Sequence, residues 1–581
     1  MAPMTNIRLL PVARHSFSTS KTWLFRAVVL KALFLTATVA VAQVKLEQAP
    51  GVQVITISPP GETGNEEIIA VNRYNPNQVV MAYGGTVGGK AAYSTDAGRS
   101  WTLVNPAGKS QMGGNKSITF DDRGNVFLSY QLIEKLGSPG YWGHNARGNG
   151  IWVRHSPDGG KTWDADAVPV LVWPNGQPAP QQEDMARIWA DNEPQSPYLG
   201  NLYLAWIDWQ IDKSIVLFTR STDHGKTWDK PWRISSHAGF PRDDTGAILG
   251  ILGTVGPDGT QYVVWNDMLD TVMAVSHDGG KTFEPSRPIF QVGPPYFGGA
   301  ASFPGIQRVM GLPEIAIDER TGTLYVTWSD CRNGDVDVFL SRSTDNGKHW
   351  SPPLRVNDDP VHNGADQFYQ WLAVDPTNGD VYVEFYDRRA DPDNLKTWMT
   401  LARSTDEGKT FTNYAWTTTP FVGHNTFLGD YSWLTAYGGR VYGAWAEAVS
   451  DTNAVVACGG CGTVGTPAII RIGIADFNPK PENGISGIIH GFTESLSDGQ
   501  AADIRTLPRS LPSSGTACAQ TFGWPRFCRY SSAVNHECYW DSNTPVENPG
   551  FDHRMSAAGM SRAPLPGLFV VWPGLRQRRI L

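Results

Sequence analysis

The sequence predicts an all-β chain built from small antiparallel sheets, and three observations carry that expectation. An octamer of the form Ser/Thr-x-Asp-x-Gly-x-x-Trp/Phe occurs six times, around Asp96, Asp158, Asp223, Asp278, Asp345 and Asp406, at steps of 62, 65, 55, 67 and 61 residues. Short strand-like runs flank every copy at hairpin spacing. The composition agrees, since 61 Gly, 41 Pro and 22 Trp suit many turns and many aromatic wedges. A recurrence this regular is one supersecondary unit repeated. Four short strands per unit make the unit a blade and the chain a β-propeller.

The octamer reads as a hairpin tip. Its Asp accepts backbone N–H groups and closes a turn, and Gly two residues later takes the positive φ that the turn demands. The closing aromatic (Trp101, Trp163, Trp228, Phe283, Trp350 or Phe411) brings a large apolar surface down against the neighbouring sheet.

The fifth unit shows the pattern most plainly. Glu314–Asp318 is a first strand, a turn at Gly322 leads to Thr323–Trp328, Asp337–Arg342 enters the octamer, and Leu354–Val356 leaves it. A seventh unit, Tyr431–Ala436, Val441–Ala446 and Ile469–Ala475, has three strands and no octamer. Three strands would leave an open edge, which closed propellers avoid. Val52–Ile57, stranded ahead of the first unit, is placed to supply the fourth strand. Seven blades are therefore expected, with six as the alternative.

Residues 1–42 read as an export leader: five bases, no acid, then an apolar run from Ala32 to Ala42 with small residues before Gln43. The run is too short and too interrupted for a membrane span. Without it the formal charge moves from −8 to −13, which argues against nucleic acid and anionic membrane as partners. The expectation is a secreted, periplasmic or cell-surface monomer, with the propeller over 43–477 and an irregular tail over 478–581 rich in Ser, Pro, Gly and Arg. In an exported chain Cys458 and Cys461 suit a local disulfide, and Cys331, Cys518, Cys528 and Cys538 stay unassigned. No cofactor or metal is expected, because Asp243-Asp244 and Asp358-Asp359 lack a dedicated calcium spacing.

Chemistry is expected on the face opposite the octamers, where loops entering first strands and leaving second strands converge on the axis. There the fifth unit offers Glu314, Asp330 and Arg332. The sixth offers Tyr369, Gln370, Asp387, Arg388 and Arg389, and the seventh Asp430-Tyr431-Ser432-Trp433-Leu434.

The six octamers resemble the Asp boxes of sialidase-type propellers, and two further motifs extend the resemblance. Tyr431-Ser432-Trp433-Leu434 matches the Tyr-Ser-x-Leu motif that carries the family's nucleophilic tyrosine, and Glu314 followed by Arg332 matches its proton-accepting glutamate and a carboxylate-binding arginine. The resemblance implies a glycan-acting hydrolase that releases a terminal, possibly acidic, sugar. Tyr431 and Glu314 would be its nucleophile pair, a phenol activated by a carboxylate. Arg332, Arg388 and Arg187 would hold a sugar carboxylate by bidentate forks, with Tyr369 beside them. The family's Phe/Tyr-Arg-Ile-Pro motif is absent: Asn72-Arg73-Tyr74-Asn75-Pro76 stands there instead, and the loop Gly84–Gly89 has no carboxylate. Asp330 or Asp387 would then stand in as the acid. The broken motif also fits a non-catalytic carbohydrate- or protein-binding propeller, and the same scaffold could serve a polysaccharide lyase.

Overall fold

The computed structural model describes residues 46–478 except 86–88, 107–113, 133–149, 174–181, 211, 242–246, 269, 294–302, 450–455 and 458–463. The expected leader, the tail beyond Asn478, the Cys458–Cys461 pair and most of the first-unit loop after Gly85 lie outside these residues. Among the described residues every regular element is a strand, and no helix is long and apolar enough to cross a membrane.

Apart from the short pair Val456–Ala457 and Val464–Gly465, the described strands form seven antiparallel sheets in chain order. Their first, innermost strands are Gly64–Val71, Ser117–Phe120, Gln182–Ala190, Ile248–Val255, Glu314–Asp318, Gln367–Val374 and Trp433–Tyr437. Each of these touches the first strand of the next sheet, and the seventh touches the first, so the sheets close into a ring. The seventh sheet takes its outer strand from the N-terminus: Gln53–Thr56 pairs with Ala468–Asp476 in the register Gln53↔Ile474 to Thr56↔Arg471. Seven blades with a first-to-last clasp are thus what the chain forms. The sixth blade adds a short fifth strand, Phe421–Val422.

A second repeat, within the second strands, builds the core. Tyr83, Tyr130, Trp206, Trp265, Trp328, Phe385 and Trp445 occupy the same position in successive blades, and all are buried. One large ring per blade fills the wedge between sheets that splay outward from a common axis. The octamers bind the blades to one another. In the first, Asp96 accepts Ser100 N–H at 2.9 Å and the Ser94 hydroxyl at 2.7 Å, and Trp101 Nε1 donates to Gly98 O at 2.9 Å. The same bonds recur at Asp158 and, with His349 supplying the amide, at Asp345. Each octamer glycine leaves room for an apolar side chain of the preceding blade: Val80 against Gly160, Phe127 against Gly225, Tyr325 against Gly408, and Ile474 and Tyr442 of the seventh blade against Gly98. The interlock therefore spans six of the seven blade junctions, the exception being that between the sixth blade and the seventh, which has no octamer.

Candidate functional site

The first strands do not run straight to the open face. Register shifts fall between Asn65 and Ile68, Asp184 and Arg187, Leu249 and Leu252, and Phe368 and Trp371, the same place in four blades. Each shift contains a left-handed residue: Glu66 (φ 53), Met185 (φ 50), Gly250 (φ 66) and Tyr369 (φ 49). Asn115 (φ 48) holds the matching conformation just before the second blade's first strand. A β-bulge re-aims the side chain it carries. Left-handed backbone at non-glycine residues costs energy that persists where surrounding structure imposes it, as at functional sites. Four of these five positions are not glycine, so Glu66, Asn115, Met185 and Tyr369 hold this conformation at such a cost, at the end of the axis where the first strands begin.

Just inside the bulges, Arg187, Glu314, Trp371 and Trp433 share one rung. Each sits opposite the residue that precedes its blade's core aromatic: Ala205, Thr327, Glu384 and Ala444. The Arg187 guanidinium lies 3.9 Å from the Tyr431 ring centroid and 5.3 Å from that of Trp433, and donates to Lys116 O at 3.1 Å. The Tyr431 hydroxyl donates to the same carbonyl at 3.4 Å. Burial pushes the Tyr431 phenol up, with Arg187 pulling the other way. Glu314 is 4% exposed, and among the described residues its Oε2 has no hydrogen-bond partner. Burial raises its carboxyl well above the usual carboxylate range, opposed only by the charge of Arg187. Tyr431 and Glu314 thus meet through Arg187, and no hydrogen bond joins them.

Around this centre the acids and bases pair with one another. Arg308 Nε donates to Asp430 Oδ1 at 2.7 Å, and its Nη2 reaches the same oxygen. The Tyr369 hydroxyl lies 2.7 Å from Arg308 O and 2.9 Å from Gly429 O. Glu66 accepts Asn115 N–H at 2.9 Å, and Asn115 Nδ2 donates to Gln131 at 3.0 Å and to Asp184. The Lys116 amine is buried, which lowers its pKa while the charge of Glu66 opposes. Asp430, also pushed up by burial, feels Arg308, Glu66 and Arg187.

The remaining sequence candidates lie apart from this group. Asp330 accepts Arg332 Nε at 2.9 Å, Trp328 Nε1 at 2.8 Å and Gly293 N at 3.1 Å. Arg332 itself rests 4.5 Å over Phe339. Cys331, between them, is disulfide-bonded to a partner outside the described residues. Asp387 pairs with Arg389 at 2.6 Å and accepts the Thr400 hydroxyl at 2.7 Å. Arg388 is wholly buried and donates to Thr397 Oγ1 at 3.0 Å, Asn394 O at 2.8 Å and Pro304 O at 2.9 Å. Desolvation lowers its pKa to about 10. Among the described residues no hydrogen bond or ion pair joins Asp330, Arg332, Asp387 or Arg388 to Tyr431 or Glu314. Arg73 is at the opposite end of the axis, where it bonds Glu193 at 3.1 Å and Glu319 at 3.1 Å, joining blades one, three and five.

Sequence reasoning passed over Glu66, Asn115, Lys116, Asp184 and Arg308. The signal for most of them was a polar pair at the start of a first strand, as in Glu66-Glu67, Asn115-Lys116 and Glu183-Asp184. Aligning the blades on the core aromatic brings the first two pairs to one level, with Glu183-Asp184 two residues ahead of it.

No family model matches the chain. Over an alignment of 150 residues it is 29% identical to a sialidase from Bacteroides fragilis, covering 21% of this chain and 26% of that one, so the match spans about a quarter of the relative's length. Among solved structures it is similar to an endosialidase of phage phi92 (11% identity, 79% of this chain and 76% of that chain, TM-score 0.42). It is also similar to an α-L-arabinofuranosidase from Fusarium graminearum (11% identity, 71% and 97%, TM-score 0.38) and to a protein of unknown function from Dyadobacter fermentans (14% identity, 73% and 99%, TM-score 0.40). The scaffold expected from the repeated octamer is the one the chain forms, a β-propeller of seven blades.

Proposed function

We propose that the chain is an exported glycan-acting hydrolase that cleaves a terminal sugar at the axial mouth, with Glu314 as its proton donor. One observation carries this reading: a buried carboxyl, 4% exposed and raised by that burial, shares a rung with a guanidinium at the end of the axis where strained backbone gathers. Glycoside hydrolysis asks for two groups in different environments, a protonated acid for the leaving oxygen and an anion for the opposite face of the ring. Glu314 suits the first role. Glu66, which accepts a backbone N–H and lies near the Lys116 amine, suits the second. Tyr431, with Arg187 over its ring, is the alternative nucleophile. That role needs a base within reach of its hydroxyl, which in this structure donates to Lys116 O. Arg187 would steady negative charge at either group.

The test is release of free sugar from a glycan panel. Glu314→Gln keeps the shape and removes the proton, so it should lower the rate by about 10²–10⁴-fold with the unfolding midpoint retained. Unchanged release in that variant would end the assignment. The second reading, a non-catalytic binding propeller, is favoured by the internal pairing of Asp430 with Arg308. It predicts sugar binding without release.

A further inference from the structure

We infer that the sugar taken at the axial mouth carries no carboxylate, so the substrate class is a neutral glycan; this rests on the reading of the mouth as a sugar site. A sialate or uronate is held by cations whose N–H groups are available to it, most effectively a guanidinium fork. Among the described residues, the arginines that could provide one are already engaged. Arg187 donates to Lys116 O and covers the Tyr431 ring. Arg308 is bound to Asp430, Arg332 to Asp330, and Arg388 to oxygens of Thr397, Asn394 and Pro304. The Lys116 amine is buried beside Glu66, so it offers an anion a charge already countered.

The acids at the same mouth push in the same direction. Glu66, Asp184 and Asp430 come from three different blades and match Lys116, Arg187 and Arg308 in number, so the cations there are countered before a ligand arrives. A carboxylate arriving there would displace an existing ion pair or sit beside like charge in a poorly solvated place, and both disfavour it. A ring bearing only hydroxyl groups asks chiefly for acceptors, which the Asn115 Oδ1, Asp184 and Glu66 oxygens supply. The negative formal charge of the whole chain adds a long-range field of the same sign.

The experiment is calorimetric titration of the full chain with arabinose, galactose, galacturonate and N-acetylneuraminate, run beside sugar release from neutral, uronate-bearing and sialylated glycans. The expected result is affinity for the neutral sugars at least about tenfold above that for the acidic ones. The gap should narrow in Asp430→Asn, which relieves Arg308 of its counter-charge, with the unfolding midpoint reporting that the variant is folded. Equal or tighter binding of the acidic sugars, or release of sialate, overturns the inference and leaves the hydrolase reading in place. Neutral binding without release upholds the inference and removes the hydrolase. Binding of neither class overturns both.

Discussion

Arg187 sits with its guanidinium 3.9 Å from the Tyr431 ring centroid, although the two residues come from the third and seventh blades. The same cation is the one charge that opposes the upward push of burial on Glu314. A phenol and a carboxyl that do not touch are therefore coupled through one arginine. Arg187→Met keeps most of the volume and removes both the charge and the bond to Lys116 O. Because a buried acceptor then loses a partner, the change should cost about 1–3 kcal/mol in denaturant unfolding. It should also raise the Glu314 carboxyl further, which ¹³C NMR of labelled glutamate would register as a later titration. A Glu314 signal that does not move would break the coupling.

Two other carboxyls flank the seventh blade: Glu67 on the first and Glu384 on the sixth, both wholly buried. Burial raises each well above the ordinary value, and the charge of Glu67 adds to the effect on Glu384. A carboxyl raised in the folded state holds its proton there after the unfolded chain has released its own. Its contribution is therefore complete below the unfolded value of about 4.5 and is lost as pH rises through the folded value. The protein should grow less stable from mildly acidic to alkaline pH, by up to about 1.4 kcal/mol per pH unit for each group while it titrates. Glu384→Gln should flatten that slope and raise the unfolding midpoint at pH 8. A pH profile identical to that of the parent would count against the buried acid.

At the octamer end of the axis, Glu193 is raised to about 7 by burial and by Glu319, with Arg73 holding it down. The sign is the same as for the buried pair, but the window is narrower: the contribution is complete below about 4.5 and is lost as pH rises through about 7. Arg73→Ala leaves two acids facing each other, so it should destabilise clearly at pH 8 and little at pH 5. Since these side chains are partly exposed, the effect at pH 8 should be modest and should shrink in high salt. Equal losses at both pH values would show that Arg73 acts by packing.

Gly98 and Gly61 separate backbone strain from crowding. Both have positive φ, +84 and +81, but a Cβ at Gly98 would lie 2.7 Å from Ile474 Cδ1 and 3.0 Å from Tyr442 Cε1, whereas one at Gly61 meets nothing within 4 Å. Gly61→Ala should cost about 1–2 kcal/mol, the left-handed penalty alone. Gly98→Ala should cost about 1–3 kcal/mol more, because it also forces the first blade away from the seventh. Urea melts of the two variants measure the difference, and equal losses would show that the interlock is loose.

The scaffold was legible because its signals are local and repeated. Asp345, Gly347 and Trp350 bond within their own octamer, so the pattern that identifies them is also the structure they make. The axial site obeys no such rule. Arg308 reaches Asp430 across 122 residues, and the bulges at Glu66 and Tyr369, which decide what faces the mouth, leave no mark in residue type. Arg332 shows the converse: the motif that suggested a substrate contact, Asp330-Cys331-Arg332, is satisfied within itself.

The clasp of the ring gives the last expected outcome. Ile57 N–H donates to Ile470 O at 2.9 Å, just beyond the paired residues Gln53–Thr56. Ile57 is also buried, so two substitutions are needed to separate its two roles. Ile57→Val trims one methylene and should cost about 0.5–1.5 kcal/mol. Ile57→Pro removes the donor as well, and should cost about 3 kcal/mol or more by the precedent of proline in regular structure. Losing the N-terminal strand would bare the edge of Ala468–Asp476, and an exposed edge pairs with other chains. The proline variant should therefore show concentration-dependent association by light scattering at temperatures where the valine variant stays dispersed. If both behave alike, the ring is held shut by its first strands and octamers, and the N-terminal strand is an ornament.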